Sequence, residues 1–503
     1  MGIMKKIANN LITPGGTLSQ RVVKSGFWVF FLRIFNQGFS LLRLIILARI
    51  LSPNDFGLMG IALLTMSILE TFSETGFQHA LIQKKEDIKS YLDSAWTVLI
   101  LRGFVLFVIL YFIAPYAAVF FNAPEAKPII RVIGFSILFQ TFTNIGITYF
   151  KKELEFNKEF IYQFTGTLAD FIVAISAVLI LRNVWALVLG LLAGNITRCF
   201  VSYLIHPYRP RLNFALEKVK ELFGFGRWIL GSSILIFLLG QGDDIFVGKL
   251  LGTTALGFYQ MAYRIANMPA TEITHIISQV TFPAYSKLQD NIPKLREAYL
   301  KVLRVTAFLS FPIAGLIFIL APDFTRIFLG EKWMPMVSAL QIFCILGAIR
   351  SVVATMGPVF YSTGKPKIET QLSLMQLVIM VCLIYPLMMK WGIAGAALAV
   401  VLNNLADPWG FKKMLSTVNC EFRKFSRNLL LPAISSILLC LFLQITKNLI
   451  EIKISEFILL IILGVLFYFL VAYFLDDKIN GNWLKIELRD IFRSFIAKSK
   501  EEF

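Results

Sequence analysis

Residues Tyr91–Phe120 read YLDSAWTVLILRGFVLFVILYFIAPYAAVF. Only Asp93 and Arg102 carry charge in this stretch. A hydrocarbon core of about 30 Å needs about 20 apolar residues in a helix, so the run is long enough to cross a bilayer. A strand is excluded, because no period-two alternation is present and an unpaired strand in lipid would leave its backbone unsatisfied.

The same reading extends outward in both directions and yields about 14 apolar stretches. Those that matter most below are the fourth at 128–150, the seventh at 223–248, the eighth at 254–282, and the eleventh and twelfth at 370–389 and 391–411. The whole chain of 503 residues is 57% hydrophobic and 16% charged. Its mean hydropathy is +0.71. A soluble protein carries about 25% charged residues. A soluble enzyme, a disordered chain and a coiled coil are excluded on these grounds. The expectation is an all-α, polytopic membrane protein.

The net charge is +18. In a soluble chain it would suggest nucleic acid; in a membrane protein it reports orientation. With the N-terminus placed in the cytoplasm, about 31 of the 49 Lys and Arg fall on the cytoplasmic side and about 9 on the other. Both termini are then cytoplasmic, in the cell inner membrane, and no nucleic-acid partner is expected. Residues 483–498 place Leu484, Leu488, Ile491, Phe492 and Phe495 on one helical face between basic residues, the pattern of a helix lying on the inner surface.

Small counts close off other chemistries. The five cysteines form no CxxC or zinc spacing. The three histidines, His79, His206 and His275, stand far apart, so no metal and no cofactor is expected. The loops contain no Asp-x-Asp, and the Asp243-Asp244 pair lies within an apolar run. That argues against a glycosyltransferase or a polymerase, which would need an acid/base pair or a metal at the membrane face.

The chain resembles itself at an offset of about 200 residues. Ala48–Leu51 followed by Phe56-Gly57 aligns with Gly248–Leu251 followed by Leu256-Gly257. Ala114-Pro115 aligns with Ala321-Pro322, and Gly194-Asn195 with Asn403-Asn404. The first six spans therefore correspond to the next six, in two parallel repeats, and two C-terminal helices are an addition. The expected layout is an N-terminal segment 1–24, an N-lobe 25–205, a linker 206–222 and a C-lobe 223–415. Two further helices at 428–475 and an amphipathic tail at 476–503 complete it.

Charges inside spans are costly and mark a bundle interior or a watery cavity. The first span carries Arg33, Asn36, Ser40 and Arg43 at helical spacing, one face of one helix. The second carries Glu70 and Glu74, also on one face. The seventh contributes Asp243 and Asp244, and the eighth Arg264 and Glu272. These are the candidate substrate-binding residues of a hydrated cavity, in which guanidinium groups would hold phosphate and polar groups would face sugar hydroxyls. Arg–Glu locking of helices, or snorkelling, is the structural alternative for each. It is preferred for Arg102, Arg131, Arg198, Arg304 and Arg350.

Four segments carry a family resemblance. Leu47–Lys85, LARILSPNDFGLMGIALLTMSILETFSETGFQHALIQKK, resembles the first-to-second-helix region of bacterial polysaccharide exporters. Gly242–Asn291, with GDDIFVGKLLGTTALGFYQMAYRIANMP and TFPAYSKLQDN, resembles their seventh-to-eighth-helix region, and LGEKWMP at Leu329–Pro335 and TGKPK at Thr363–Lys367 fit as well. The chain is thus similar to the Wzx-like polysaccharide transport family of the multidrug/oligosaccharidyl-lipid/polysaccharide (MOP) flippase superfamily. The resemblance implies two six-helix bundles with two extra helices. It also implies movement of polyprenyl-diphosphate-linked oligosaccharide between leaflets by alternating access, not an enzymatic activity. Membrane lipid, a polysaccharide polymerase and export machinery are the implied partners. A cation-coupled drug exporter of the same superfamily is the alternative.

Overall fold

A computed structural model describes residues 18–84, 88–153, 155–450 and 452–480, and every regular element among them is helical. The expected surface helix at 483–498 lies outside the described residues, as do positions 1–17. By contact the chain divides into two compact units, Met1–Gly257 and Phe258–Phe503.

The first unit holds α1 (Leu18–Ile50), α2 (Pro53–Phe72), the short α3 (Phe77–Gln83), α4 (Lys89–Phe120) and α5 (Ala126–Thr141). After a 3-10 turn at Ile145–Ile147 follow α6 (Thr148–Lys152), α7 (Phe156–Leu181), α8 (Trp185–Ile205) and α9 (Leu216–Leu250). Local chemistry sets the breaks. Ser52 caps α2 in a capping box: the Asp55 amide donates to Ser52 Oγ at 3.2 Å, and the Ser52 amide donates to Asp55 Oδ2 at 2.9 Å. Pro53 at the first turn has no amide proton to leave unsatisfied. The other oxygen of Asp55 accepts the Val184 amide at 3.0 Å just before α8, so one carboxylate serves two helix starts.

α10 (Thr253–Leu288) begins in the first unit and continues into the second. The second unit then runs through α11 (Ile292–Phe324), a π turn at Thr325–Leu329, a 3-10 turn at Glu331–Met336 and α12 (Val337–Val353). α13 (Met356–Ser362), α14 (Pro366–Leu402), α15 (Asp407–Thr417), α16 (Phe422–Leu449) and α17 (Ile454–Asn480) complete it. α16 and α17 pack on α11 through Phe308, Leu320, Leu439, Leu443, Leu460 and Tyr468. The Tyr468 hydroxyl donates to the Phe308 carbonyl at 2.9 Å, and Lys447 pairs with Asp323 at 2.5 Å.

Eleven helices among the described residues are long and apolar enough to cross a membrane, or up to twelve if one bent pair is a single span. That is fewer than the 14 expected from the sequence, and the differences have physical causes. The fourth expected span is the bent pair, Ala126–Thr141 and Ile145–Lys152, at 66°. The eighth is α10, in which Gln260, Arg264, Asn267, Glu272, His275 and Gln279 dilute the apolar residues. The eleventh and twelfth run together as Pro366–Thr417. That run breaks at Trp391-Gly392, where Gly392 has φ 57° and ψ −136°. The protein is an all-α, multi-pass membrane protein.

At the start of α2 and α10 two backbones meet. A Cβ on Gly57 would overlap the Thr253 carbonyl, and a Cβ on Gly257 would overlap the Pro53 carbonyl. Thr253 Oγ1 donates to Asn54 Oδ1 beside them. Glycine is required here by close approach, as in small-residue contacts between membrane helices.

Candidate functional site

The face of α1 is divided between packing and polar work. Phe35 and Phe39 meet Phe160, Phe164 and Phe171 of α7 edge-on, with ring centroids 5.1–6.2 Å apart. Arg43 continues that stripe one turn further and pairs with Asp170 of α7, Nη2 to Oδ1 at 3.0 Å. Asp170 fits because Gly190 of α8 offers no side chain against it. Arg43 therefore joins two helices through the Asp170 carboxylate. Arg33 and Asn36 sit half-buried on α1, and Asn36 Oδ1 is buried without a hydrogen-bond partner.

Glu70 and Glu74 stand at the end of α2, opposite Arg102 of α4. Arg102 donates from Nε to the Ser73 carbonyl at 2.7 Å and from Nη2 to the Glu70 carbonyl at 2.8 Å. It thus ties off two helix-terminal carbonyls that have no intrahelical donor. On α9, Asp243 is buried and Asp244 half-buried. Arg264 belongs to the second unit and is exposed, and Glu272 lies on α10 with its side chain outside the described ones. The first unit therefore holds Arg33, Asn36, Arg43, Glu70, Glu74, Asp243 and Asp244; the second holds Arg264 and Glu272.

Two polar clusters lie outside the candidate cavity residues, although the sequence reads their Arg102, Arg198 and Arg350 as structural. In the second unit Arg350 donates to the Tyr263 hydroxyl at 2.6 Å, and Gln376 donates to Asp407 Oδ1 at 2.8 Å. Asp407 is buried, and its Oδ2 has no partner. In the first unit a polar cavity of about 240 Å³ is lined by Arg102, Gln140, Tyr162, Asn195 and Arg198, with Gln78 at its edge. The only sequence signal for either was a lone charge within an apolar run.

At one end of the first unit the connecting segment 206–215 is strapped to α4. The Tyr208 hydroxyl donates to Asp93 at 2.7 Å, the Arg211 amide donates to the same carboxylate at 2.9 Å, and the Asn213 amide donates to Thr97 Oγ1 at 2.9 Å. Glu221 accepts from Lys84 and, at 2.8 Å, from the Tyr91 hydroxyl. Those donors, Lys84 foremost, hold its carboxyl below the ordinary value of 4.5. Burial likewise holds the His206 imidazole below 6.5, with Lys158 adding to the effect. Among the described residues no group of three or more His, Cys, Asp or Glu is arranged to hold a metal ion.

A second cavity, of about 490 Å³ and almost wholly apolar, lies between α11, α12 and α16, lined by Phe311, Gly315, Phe318, Ala348, Ile437 and Cys440 among others.

Comparison with known proteins places this architecture. Residues 46–338 match the family described as "Polysaccharide biosynthesis protein". The lipopolysaccharide biosynthesis protein WzxC of Escherichia coli (strain K12) is 26% identical over 359 residues, covering 70% of this chain and 72% of that one. An uncharacterized membrane protein in the cps region of Klebsiella pneumoniae is 27% identical over 500 residues, 96% of this chain and 100% of that one. Among solved structures, the lipid II flippase MurJ in an inward closed conformation superposes with a TM-score of 0.74 at 15% identity, covering 91% of this chain and 99% of that one. The chain shares its fold with the lipid II flippase MurJ, and by the match over more than half its length it belongs to the polysaccharide biosynthesis protein family.

Proposed function

We propose that the protein moves polyprenyl-diphosphate-linked oligosaccharide repeat units across the cytoplasmic membrane by alternating access, for assembly of a cell-surface polysaccharide. The observation that carries this is the family match over residues 46–338, joined to near-full-length similarity with a protein of a cps region. The physical problem is that a diphosphate and several sugars cannot enter hydrocarbon unaided. Charged and amide groups within apolar spans, such as Arg33, Asn36 and Asp243, offer a path that replaces their hydration. The apolar cavity beside α16 suits a hydrocarbon chain.

The finer architecture belongs to the same reading: 14 spans in two parallel six-helix repeats plus α16 and α17, with both termini cytoplasmic. Two features support it. Pro366–Thr417, 52 residues in all, would be about 78 Å long as one helix, more than twice the hydrocarbon thickness, so it makes two passes. Within the first unit, Gly57 approaches Thr253 and Gly257 approaches Pro53; Pro53 and Thr253, like Gly57 and Gly257, match the offset of about 200 residues in the sequence repeat. The lobes are then 25–205 and 223–415, joined by the linker 206–222. Arg33, Asn36, Arg43, Glu70, Glu74, Asp243, Asp244, Arg264 and Glu272 are the cavity candidates. A polymerase and export machinery would act downstream.

The test is deletion of the gene in a strain with no paralogue, followed by assay of which leaflet holds the lipid-linked glycan. Accumulation in the inner leaflet is expected. Normal outward delivery, or efflux of organic cations with no glycan phenotype, would overturn the reading.

A further inference from the structure

The cavity of about 240 Å³ in the first unit contains a guanidinium that the fold goes out of its way to accommodate. Arg198 of α8 lies across Gly166 of α7, where any Cβ would overlap its side chain. Its protein partners are neutral: Nη1 donates to Asn195 Oδ1 at 3.2 Å, and Nη2 reaches Thr167 Oγ1 at 3.5 Å. Asn195 is itself oriented by donating from Nδ2 to Ser136. Nε of Arg198 is buried with no acceptor. Among the described residues no carboxylate pairs with this guanidinium, unlike Arg43 with Asp170. A half-buried cation whose contacting partners are all neutral is costly, and the cost falls when an anion enters.

Across the same cavity Arg102 is held rigidly by the Ser73 and Glu70 carbonyls, with Glu70 and Glu74 near it in charge. It supplies a second, preorganised donor group, while Arg198 supplies a guanidinium held by neutral partners. Gln78 and Gln140 bring further amide donors to the wall. The space exceeds several water molecules, at about 30 Å³ each, and falls short of a drug-sized pocket of about 300 Å³ or more. It admits one or two phosphoryl groups and no oligosaccharide. We propose that this cavity is a phosphoryl-binding subsite, with Arg198 as its anchor and Arg102 as its second donor. It rests on the transport reading above, where the phosphoryl would be that of the cargo's diphosphate; the headgroup of an anionic phospholipid carries the same chemistry.

The test uses the full chain in nanodiscs of zwitterionic lipid, titrated with inorganic pyrophosphate at fixed ionic strength. Saturable binding is expected. Arg198→Gln should weaken it on the order of tenfold, the loss of one charge-assisted contact. Arg198→Lys should fall between, since it keeps the charge but not the planar fork. Arg211→Gln, the same charge loss on an exposed side chain, should leave binding unchanged. Gln78→Glu, at an exposed rim position, brings a negative charge to the cavity without disturbing buried packing, and should also weaken binding. Pyrophosphate binding within twofold of wild type in both Arg198→Gln and Gln78→Glu overturns the subsite, as does equal or tighter binding of glucuronate. Displacement by polyprenyl diphosphate assigns the site to cargo; displacement by phosphatidylglycerol alone assigns it to a headgroup. In cells, normal glycan delivery by Arg198→Gln where the deletion fails sinks the cargo assignment and leaves the transport reading standing. Normal delivery by the deletion itself sinks the transport reading, whatever the titration gives.

Discussion

At the scale of single residues, the same side-chain type does different work according to its counter-charge. Arg43 and Asp170 compensate each other between α1 and α7. Arg43→Ala removes the ion pair with Asp170, which costs about 1–3 kcal/mol for a pair this shielded. Reduced membrane abundance is the expected outcome, with recovery in Arg43→Ala combined with Asp170→Ala. Recovery of abundance without transport would show that Arg43 also touches cargo; recovery of both would leave it a lock. Arg33→Ala, by contrast, should lower transport at unchanged abundance. His206 answers to pH. Its Nδ1 accepts the Tyr208 amide at 3.1 Å, and its ring stacks parallel to Tyr149. Because burial lowers its folded pKa below 6.5, its neutral form belongs to the fold. Stability from this group is complete above about pH 6.5 and is lost as pH falls through the folded value. Melting of the purified protein should show an acid-side decline that His206→Gln removes; an unchanged profile would contradict the assignment.

At the scale of elements, glycine decides where helices stop and where they touch. Gly392 takes a conformation that L side chains rarely adopt. Gly392→Ala should cost about 1–3 kcal/mol, read as a lower melting temperature. Gly57→Val should lower abundance and transport together, because the added side chain would overlap the Thr253 carbonyl. Its stability cost should be about 1–3 kcal/mol. The existence of these helices was legible in the sequence, because apolar length alone specifies a span. Their breaks were partly legible: the boundary expected between 389 and 391 falls at Trp391-Gly392. The 66° bend after Thr141 was not, because Gln140, Thr141, Thr143 and Asn144 are too few polar residues to end an apolar stretch; the Asn144 side chain caps the turn by accepting the Gly146 amide at 2.9 Å.

At the scale of the whole molecule, the positive-inside count predicts that reporters fused within 206–215 or at the C-terminus remain cytoplasmic, while one fused at Asn122 is exported. A C-terminal alkaline phosphatase fusion that is active would contradict it. Membrane residence and helical class were determined by the sequence itself, since hydropathy and the need to satisfy backbone groups in lipid act locally. So was the family, through contiguous segments such as Leu47–Lys85. Which charges compensate each other was decided only by tertiary structure. Arg43 and Asp170 are 127 positions apart, and nothing in either span marks the partner. Arg198 looks in sequence like any arginine within an apolar run; its neutral partners Asn195 and Thr167, and the cavity it lines with Arg102, exist only once α4, α5, α7 and α8 are packed. The physical reason is range: partition into lipid is a property of a segment, whereas charge compensation is a property of side chains that meet across helices.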